Sequence, residues 1–309
     1  MSLSLEFGEG CGDLVGQWSV PATNPAWRKW LPSDPTSPHW YDLPRLAGLI
    51  GANITRAQDR NEPCKTVRDF VGEFRGLART QTQKAVCDAV GASRWSLDQF
   101  FGNGTDLHRT GKLLDEMKRH SNAILPKALG AIGQEHLAAN FESFGVDLRS
   151  FEYKTAAFNC DGIPYLVEAA FGYRADVTAK DFVKRRIITG INWSVAIGDP
   201  FRKLGPDDES LGEILTDQRA GEEEPIVFAL HVACPRINYL DRGKSSVSLP
   251  DVPRETIVNL VKDVTKRWAK QRKTEERDAS ARQRRDERMI VRDRPMNQKE
   301  AAAQVIEAA

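Results

Sequence analysis

The first clear pattern along the chain is an apolar stripe at helical spacing. In the stretch TVRDFVGEFRGLA four apolar residues fall on one face of a helix, namely Val67, Phe70, Val71 and Phe74. Thr66 precedes this stripe and Asp69 follows three positions later, a pairing typical of a helix start. Further short helical segments, several of them ending at glycine, continue to about residue 145: DLPRLAGLIGANI, TQKAVCDAV, WSLDQFFG, HRTGKLLDEMKRH and LPKALGAIGQEHLAANFESFG. The pattern therefore predicts a small helical domain.

After residue 150 the pattern changes to strand-length apolar runs. These runs are rich in β-branched and aromatic residues and number four: FEYKTAAF, IPYLVEAAFGY, RIITGINWSVAI and PIVFALHVAC. The segment DESLGEILTDQ, between the third and fourth runs, has the character of a helix. We therefore expect a sheet of about four strands in an α/β or α+β arrangement, and not a β-sandwich.

From Pro253 the spacing is helical again. Ile257, Leu260, Val261, Val264 and Trp268 form one stripe, which predicts a helix that packs on the sheet. Beyond Trp268 the stripe stops and the helix becomes charged, with thirteen basic and seven acidic residues between Lys262 and Arg294. The final stretch, NQKEAAAQVIEAA, is composed of good helix formers.

The beginning of the chain reads differently from either domain. SLSLEFGEG alternates like a strand and breaks at glycines. We expect it to be a strand of a larger architecture whose partner strands are missing, because a single strand cannot satisfy its own backbone. The stretch Pro21 to Pro44 has the composition of a linker with aromatic anchors. We place the boundaries at 1–38 (strand and linker), 39–148 (helical domain), 149–252 (sheet domain) and 253–309 (long charged helix).

Composition narrows the class of protein only slightly. The 309 residues carry a formal net charge of +1, which conceals the basic segment near the end. The N-terminus lacks a basic start with an apolar run, and no window reaches 18 uncharged apolar residues, so we expect a cytoplasmic protein without membrane contact. Five scattered cysteines without a C-x-x-C spacing suggest buried thiols.

Searches for catalytic motifs are mostly negative. The Gly-Lys-Ser at 243–245 suggests a phosphate loop, but the glycine that such a loop needs five residues earlier is Asn238. GEGCGD near the start lacks the third glycine of a dinucleotide fingerprint. The five histidines are widely separated and have no metal-ligand spacing. We expect neither a catalytic residue nor a metal site, and we expect His231, inside an apolar strand, to be structural.

Three places keep a functional interpretation open. Glu168 lies within an apolar strand and must face solvent or meet a partner, since burying it unpaired costs several kcal/mol. Arg236, Arg242 and Lys244 follow directly after a buried strand, where loops often present ligand contacts, and the alternative is a solvated turn. The basic helix is either a solvated helix with i,i+4 pairs or a surface that contacts nucleic-acid phosphates through Lys270, Arg272, Lys273, Arg282, Arg284 and Arg285.

The order of these pieces resembles the B subunit of type IIB DNA topoisomerases, the topoisomerase VI family. SPHWYDLPRLAGLI with TVRDFVGEFRGL is similar to the family's entry into its helix-two-turns-helix domain. IPYLVEAAFGY and FALHVACPRINYLDRGKSSV look like strands and a loop of its transducer domain, and the resemblance covers most of the chain. It implies an α+β fold: a small helix-two-turns-helix-like domain, then a transducer-type βαβ sheet domain, then a long C-terminal helix.

The resemblance also implies a role for the loop after the last long strand. In the family a basic residue of this loop reaches the γ-phosphate of ATP, and Arg236 stands where the family tends to have lysine, with Lys244 at a second basic position. The family's ATPase motifs, E-x-x-x-N-A-x-D and D-x-G-x-G with a glycine-rich lid, do not occur in the sequence. We therefore expect no ATP hydrolysis and no bound cofactor for this chain alone, with ATP and Mg²⁺ implied only for a complete complex.

The partners implied by the resemblance are DNA, an ATPase domain that is truncated or encoded elsewhere, and an A-type DNA-cleaving subunit, with a homodimer as a further option. On this resemblance we expect residues 1–38 to be a strand remnant of the missing ATPase domain followed by a linker rich in Pro and Trp. On that hypothesis the chain is a transducer that relays nucleotide state. A second hypothesis is a free-standing DNA-binding or scaffold protein without nucleotide dependence. A third, which we favour least, is an enzyme with a pocket around Glu168, Asn192 and Trp193.

Overall fold

We describe the protein from a computed structural model. The structure describes residues 2–6, 15–19, 34–102, 106–174, 184–243, 245–292 and 307, with only the backbone described for 2–6, 15–19 and 290–292. Near the start, strands β1 (Ser2–Glu6) and β2 (Val15–Ser19) pair as an antiparallel hairpin. The expectation that the first strand lacks its partner was wrong, because β2 pairs with it. The five residues VGQWS are too few to show a clear strand pattern in the sequence.

The helical part has five described helices between residues 43 and 119: α1 (Leu43–Asp59), α2 (Val67–Gly72), α3 (Thr80–Val90), α4 (Leu97–Phe101) and α5 (Leu107–Arg119). Asp42 caps α1, because its carboxylate accepts a hydrogen bond from the Arg45 backbone N–H. Thr66 caps α2, because its hydroxyl accepts a hydrogen bond from the Asp69 backbone N–H. The predicted stripe of α2 is confirmed, since Val67, Phe70, Val71 and Phe74 are all buried. They share one core with α1, α3, α4 and α5.

The sheet part begins after α6 (Gln134–Ser143). Its long strands are β3 (Glu152–Cys160), β4 (Ile163–Tyr173), β5 (Arg186–Ile191) and β7 (Ile226–Ala233), with a short β6 (Ser194–Val195) and the helix α7 (Leu211–Asp217) between β6 and β7. A small separate ribbon joins β8 (Asn238–Tyr239) to β9 (Val247–Ser248). The last described helix is α8 (Asp251–Arg292). The fold is α+β, as predicted.

The strands described in the sheet lie in the order β3-β4-β7-β5-β6, in which β5 and β7 are parallel and the other neighbours antiparallel. We predicted about four strands because the run RIITGINWSVAI contains no turn signal that would divide it into two strands. In the structure Asn192 and Trp193 form a tight turn within it, both with positive φ, and separate β5 from β6. Tryptophan stands where such a turn usually has glycine, which is why the turn was missed.

The two faces of the sheet are covered by different helices. One face packs on α7 and on the apolar stripe of α8, and Ile257, Val261, Val264 and Trp268 are buried there as the spacing predicted. The opposite face packs on α6 through Phe141 and Val146. β4 and β7 are therefore buried along nearly their whole length, and any polar side chain in them must find a partner inside the protein.

The first half of α8 is part of the fold, and the second half leaves it. At a rise of about 1.5 Å per residue, the 42 residues of α8 extend for about 63 Å. From Ala269 to Met289 the helix has no buried residue. No described helix combines the length and the apolar character that crossing a membrane would need.

Candidate functional site

The loop after β7 holds the first group of predicted site residues. The Arg236 guanidinium donates a hydrogen bond of 3.3 Å to the Trp40 carbonyl and forms an ion pair with the Asp42 carboxylate. Asn238, in the same loop, accepts a hydrogen bond of 2.5 Å from the Arg45 side chain. The loop thus joins the sheet part to the beginning of α1, and Arg236 is one of the residues that make this joint.

The rest of the loop folds back on itself. The Asp241 carboxylate accepts hydrogen bonds from the backbone N–H groups of Ser245 and Ser246, both at 3.1 Å, and from the Ser245 hydroxyl at 2.9 Å. These bonds, led by the one from the Ser245 N–H, hold the pKa of Asp241 below its usual value. Arg242 is exposed, and Lys244 lies outside the described residues. The γ-phosphate contact expected of Arg236 and Lys244 remains a prediction.

A cleft opens beside this loop, at the carboxyl ends of the parallel strands β5 and β7. The volume of this cleft is about 630 Å³. A smaller pocket of about 280 Å³ lies beside Trp95 in the helical part. The larger cleft is lined by Asn192 together with apolar residues that include Ile197 and Tyr239. Carboxyl ends of parallel strands are a common place for ligands in α/β sheets. The cleft is a candidate site for a small ligand.

A buried polar cluster lies on the face of the sheet that packs on α6. Glu168 of β4 and His231 of β7 are directly opposite each other in the pairing register, and both are nearly inaccessible to solvent. The Glu168 carboxylate accepts hydrogen bonds from His231 Nδ1 at 2.9 Å and from the Tyr153 hydroxyl at 2.7 Å. It also accepts from the backbone N–H groups of Ile132 and Gly133, both at 2.9 Å. Four donors therefore converge on one carboxylate.

The electrostatics of this cluster follow from its geometry. Burial alone would raise the pKa of Glu168, but the hydrogen bonds from His231, Gly133, Ile132 and Tyr153 outweigh it and lower the pKa below the usual value. Burial, and then the hydrogen bond to Glu168, raise the pKa of the Tyr153 hydroxyl well above its usual range. The carboxylate is therefore ionised and the phenol is neutral, and the four donors stabilise the negative charge of Glu168.

The structure only partly brings together the residues of the expected pocket around Glu168, Asn192 and Trp193. Trp193 packs against His231 with ring centroids 4.9 Å apart. The Asn192 side chain instead bonds both backbone groups of Cys234, at 2.7 and 2.8 Å, and faces the cleft. Sequence reasoning missed the partners Tyr153 and His231. The available signal was that one ionisable residue interrupts each of two apolar strands, which favours their pairing.

The six residues predicted to contact phosphate all lie in the second half of α8, and Arg272 differs from the other five because it is only partly exposed. Arg272 forms ion pairs with Glu224 and Glu275, at 2.8 Å for the latter, and its guanidinium lies 5.3 Å from the centroid of the Trp268 ring. It fastens the helix to the loop before β7. The other five are exposed along the helix surface: Lys270, Lys273, Arg282, Arg284 and Arg285.

No three histidine, cysteine or acidic side chains come together as a possible metal site in the part of the chain that the structure describes. The cysteines described are free thiols, and burial raises the pKa of Cys234 to about 11. A thiol with such a pKa is unreactive near neutral pH.

Comparison with known proteins gives little further information. No protein-family model matches the chain, and no curated protein matches it either. Among solved structures, the B-subunit of the DNA gyrase from Myxococcus xanthus is similar at 13% sequence identity and a TM-score of 0.24, over 37% of this chain and 37% of that chain. This is a loose structural likeness of part of the chain to a topoisomerase B subunit, and it assigns no family.

Proposed function

We propose that this chain is a non-catalytic relay module of a topoisomerase-VI-like, ATP-dependent DNA complex, and that it contacts duplex DNA through the exposed half of α8. The observation that carries the DNA contact is the division of α8 into two halves. The first half is fixed to the sheet by a buried stripe, and the second half, from Ala269 to Met289, is exposed and carries more basic than acidic residues. A helix that is polar on all sides gains nothing from packing on its own domain, and a basic one is suited to a polyanion.

The relay part of the proposal depends on how the domains are joined. Arg236 and Asn238 connect the loop after β7 to the beginning of α1, while Trp268 and Arg272 connect α8 to the sheet part. A movement at the loop would therefore be transmitted through the sheet to the distal end of α8. The sequence resemblance supports a separate ATPase domain as the source of that movement and a DNA-cleaving subunit as its target, with ATP and Mg²⁺ bound by the complete complex.

A second candidate is a DNA-binding scaffold without nucleotide dependence. It is favoured by the contacts of Arg236, whose guanidinium already bonds Asp42 and the Trp40 carbonyl and would have to leave them to reach a phosphate. Cross-linking from the loop after β7 in cells separates the two candidates. Cross-links to a protein with the ATPase motifs support the relay, and an absence of such cross-links supports the scaffold.

The DNA contact is tested by titrating labelled duplex DNA with the protein at several salt concentrations. We expect the logarithm of the affinity to fall linearly with the logarithm of salt, with a slope of about 0.9 for each phosphate contacted. The triple variant Arg282→Gln, Arg284→Gln, Arg285→Gln should bind more weakly at every sequence and lose about 2–3 from that slope.

The matched control removes three exposed basic residues from the helical part, through Arg56→Gln, Arg60→Gln and Lys84→Gln. Both triple variants change the net charge equally, so only a local contact distinguishes them. The control should keep the slope of the unmodified protein. A slope near zero for the unmodified protein, or an equal loss in both variants, would remove α8 as the DNA contact.

A further inference from the structure

The Nε2 atom of His231 is a buried polar atom that the fold does not explain. His231 is 4% exposed, its Nδ1 is bonded to Glu168, and Nε2 has no hydrogen-bond partner among the described residues. Leaving a buried polar atom unpaired is costly, and native proteins do it rarely. Such an atom is therefore a candidate for contact with a group that comes from outside the protein.

The neighbours of His231 determine what Nε2 can do. Since the Glu168 carboxylate accepts from Nδ1, the tautomer that fits this contact carries its proton on Nδ1 and its lone pair on Nε2. A carboxylate behind a histidine fixes the orientation of the ring and stabilises the imidazolium that forms when Nε2 takes up a proton. Tyr153 and the N–H groups of Ile132 and Gly133 hold the carboxylate in place. The arrangement presents Nε2 as an oriented hydrogen-bond acceptor.

Trp193, in the β5–β6 turn, packs its ring against the His231 imidazole. Asn192 and Trp193 have φ of 48° and 70°, a left-handed conformation that is unfavourable for a bulky residue by about 1–3 kcal/mol. Gly190 lies opposite His231 in the register of β5 and β7. The indole is held against the imidazole by a turn whose backbone is strained. Such a turn needs less energy to rearrange than an unstrained turn would.

We propose that His231 is a concealed hydrogen-bond acceptor, oriented by Glu168, and that displacement of Trp193 opens it to a ligand that presents a neutral hydroxyl group, either water or an alcohol. The hydroxyl donates a hydrogen bond to Nε2. The O–H bond stays intact in this contact, and Nδ1 continues to donate to the Glu168 carboxylate, which keeps the ring in its orientation. This site is independent of the DNA contact of α8.

The test measures the reaction of each histidine with diethylpyrocarbonate, which attacks an accessible unprotonated imidazole nitrogen, by mass spectrometry of peptides. Trp193→Gly places glycine where the turn favours it, so the fold should be retained, as a melting curve would show. We expect His231 to react at least about tenfold faster in this variant, the ratio for a lid that costs about 1.4 kcal/mol to open. The exposed His108 is the control and should react at an unchanged rate.

A second measurement does not depend on a variant. Nitrogen-15 NMR of the histidine side chains of the unmodified protein should show His231 as the neutral tautomer with its proton on Nδ1. A proton on Nε2 would contradict the proposal, because no lone pair would then face the ligand. An unchanged reaction rate of His231 in a folded Trp193→Gly variant would contradict it equally.

Discussion

Glu168→Ala is expected to lower the free energy of unfolding by about 3–5 kcal/mol, since removing one partner of a buried charged cluster leaves the others unpaired. Four donors lose their acceptor in this variant: the Tyr153 hydroxyl, His231 Nδ1 and the N–H groups of Ile132 and Gly133. Two of these belong to the segment that leads into α6, so the cover of this sheet face should loosen. Denaturant unfolding followed by circular dichroism measures the change.

The control for this variant is Glu142→Ala, which removes an exposed carboxylate from α6 and should change stability by less than about 0.5 kcal/mol. The pH dependence gives a second criterion. Because the folded pKa of Glu168 is lowered, its contribution is complete above the unfolded value of about 4.3 and is lost as pH falls through the lower folded value. Glu168→Ala should lack that acid-dependent part. Equal stabilities of the two alanine variants would show that the cluster is not buried.

Trp268→Ala is expected to cost about 3–5 kcal/mol, as large aromatic truncations in cores do. Trp268 is the last buried residue of the α8 stripe, and its ring lies 5.8 Å from that of Phe171 and 5.2 Å from that of Tyr173. Its indole N–H also donates a hydrogen bond of 3.0 Å to the Arg219 carbonyl. Thermal and denaturant unfolding should both report the loss, and the exposed half of α8 should lose helicity first, because its attachment to the sheet is removed.

The matched variant is Trp95→Ala in the helical part. Trp95 is 47% exposed, so its truncation should cost less than about 1 kcal/mol. If Trp268→Ala were no more destabilising than Trp95→Ala, then α8 would not be fixed to the sheet at this residue. The division of the helix into an attached half and an exposed half would then fail.

The elements that depend on local pattern were predictable from the sequence. The α2 stripe beginning after Thr66 and the α8 stripe ending at Trp268 follow the helical spacing, and burial in the fold agrees with both. β6 was not predictable, because a tryptophan occupies the turn position that normally reveals a hairpin through glycine. The short β2 gave no periodic signal of useful length.

The polar cluster shows where sequence reasoning ends. The sequence indicated that Glu168 needs a partner, but a partner 63 positions away is set by strand order and register, which no local pattern encodes. The same limit applies to Arg236. Its position after a strand was visible, whereas its ion pair with Asp42 depends on how the helical and sheet parts pack.

Hydrogen exchange of backbone amides, with and without saturating duplex DNA, tests the central claim most directly. Residues 277–289 lie in the exposed half of α8, beyond the ion pair of Glu276 with Arg219, and we expect DNA to slow the exchange of their amides. The amides of α5 should exchange at the same rate in both samples. Slowed exchange confined to the helical part, or no change in α8 at saturation, would contradict the account.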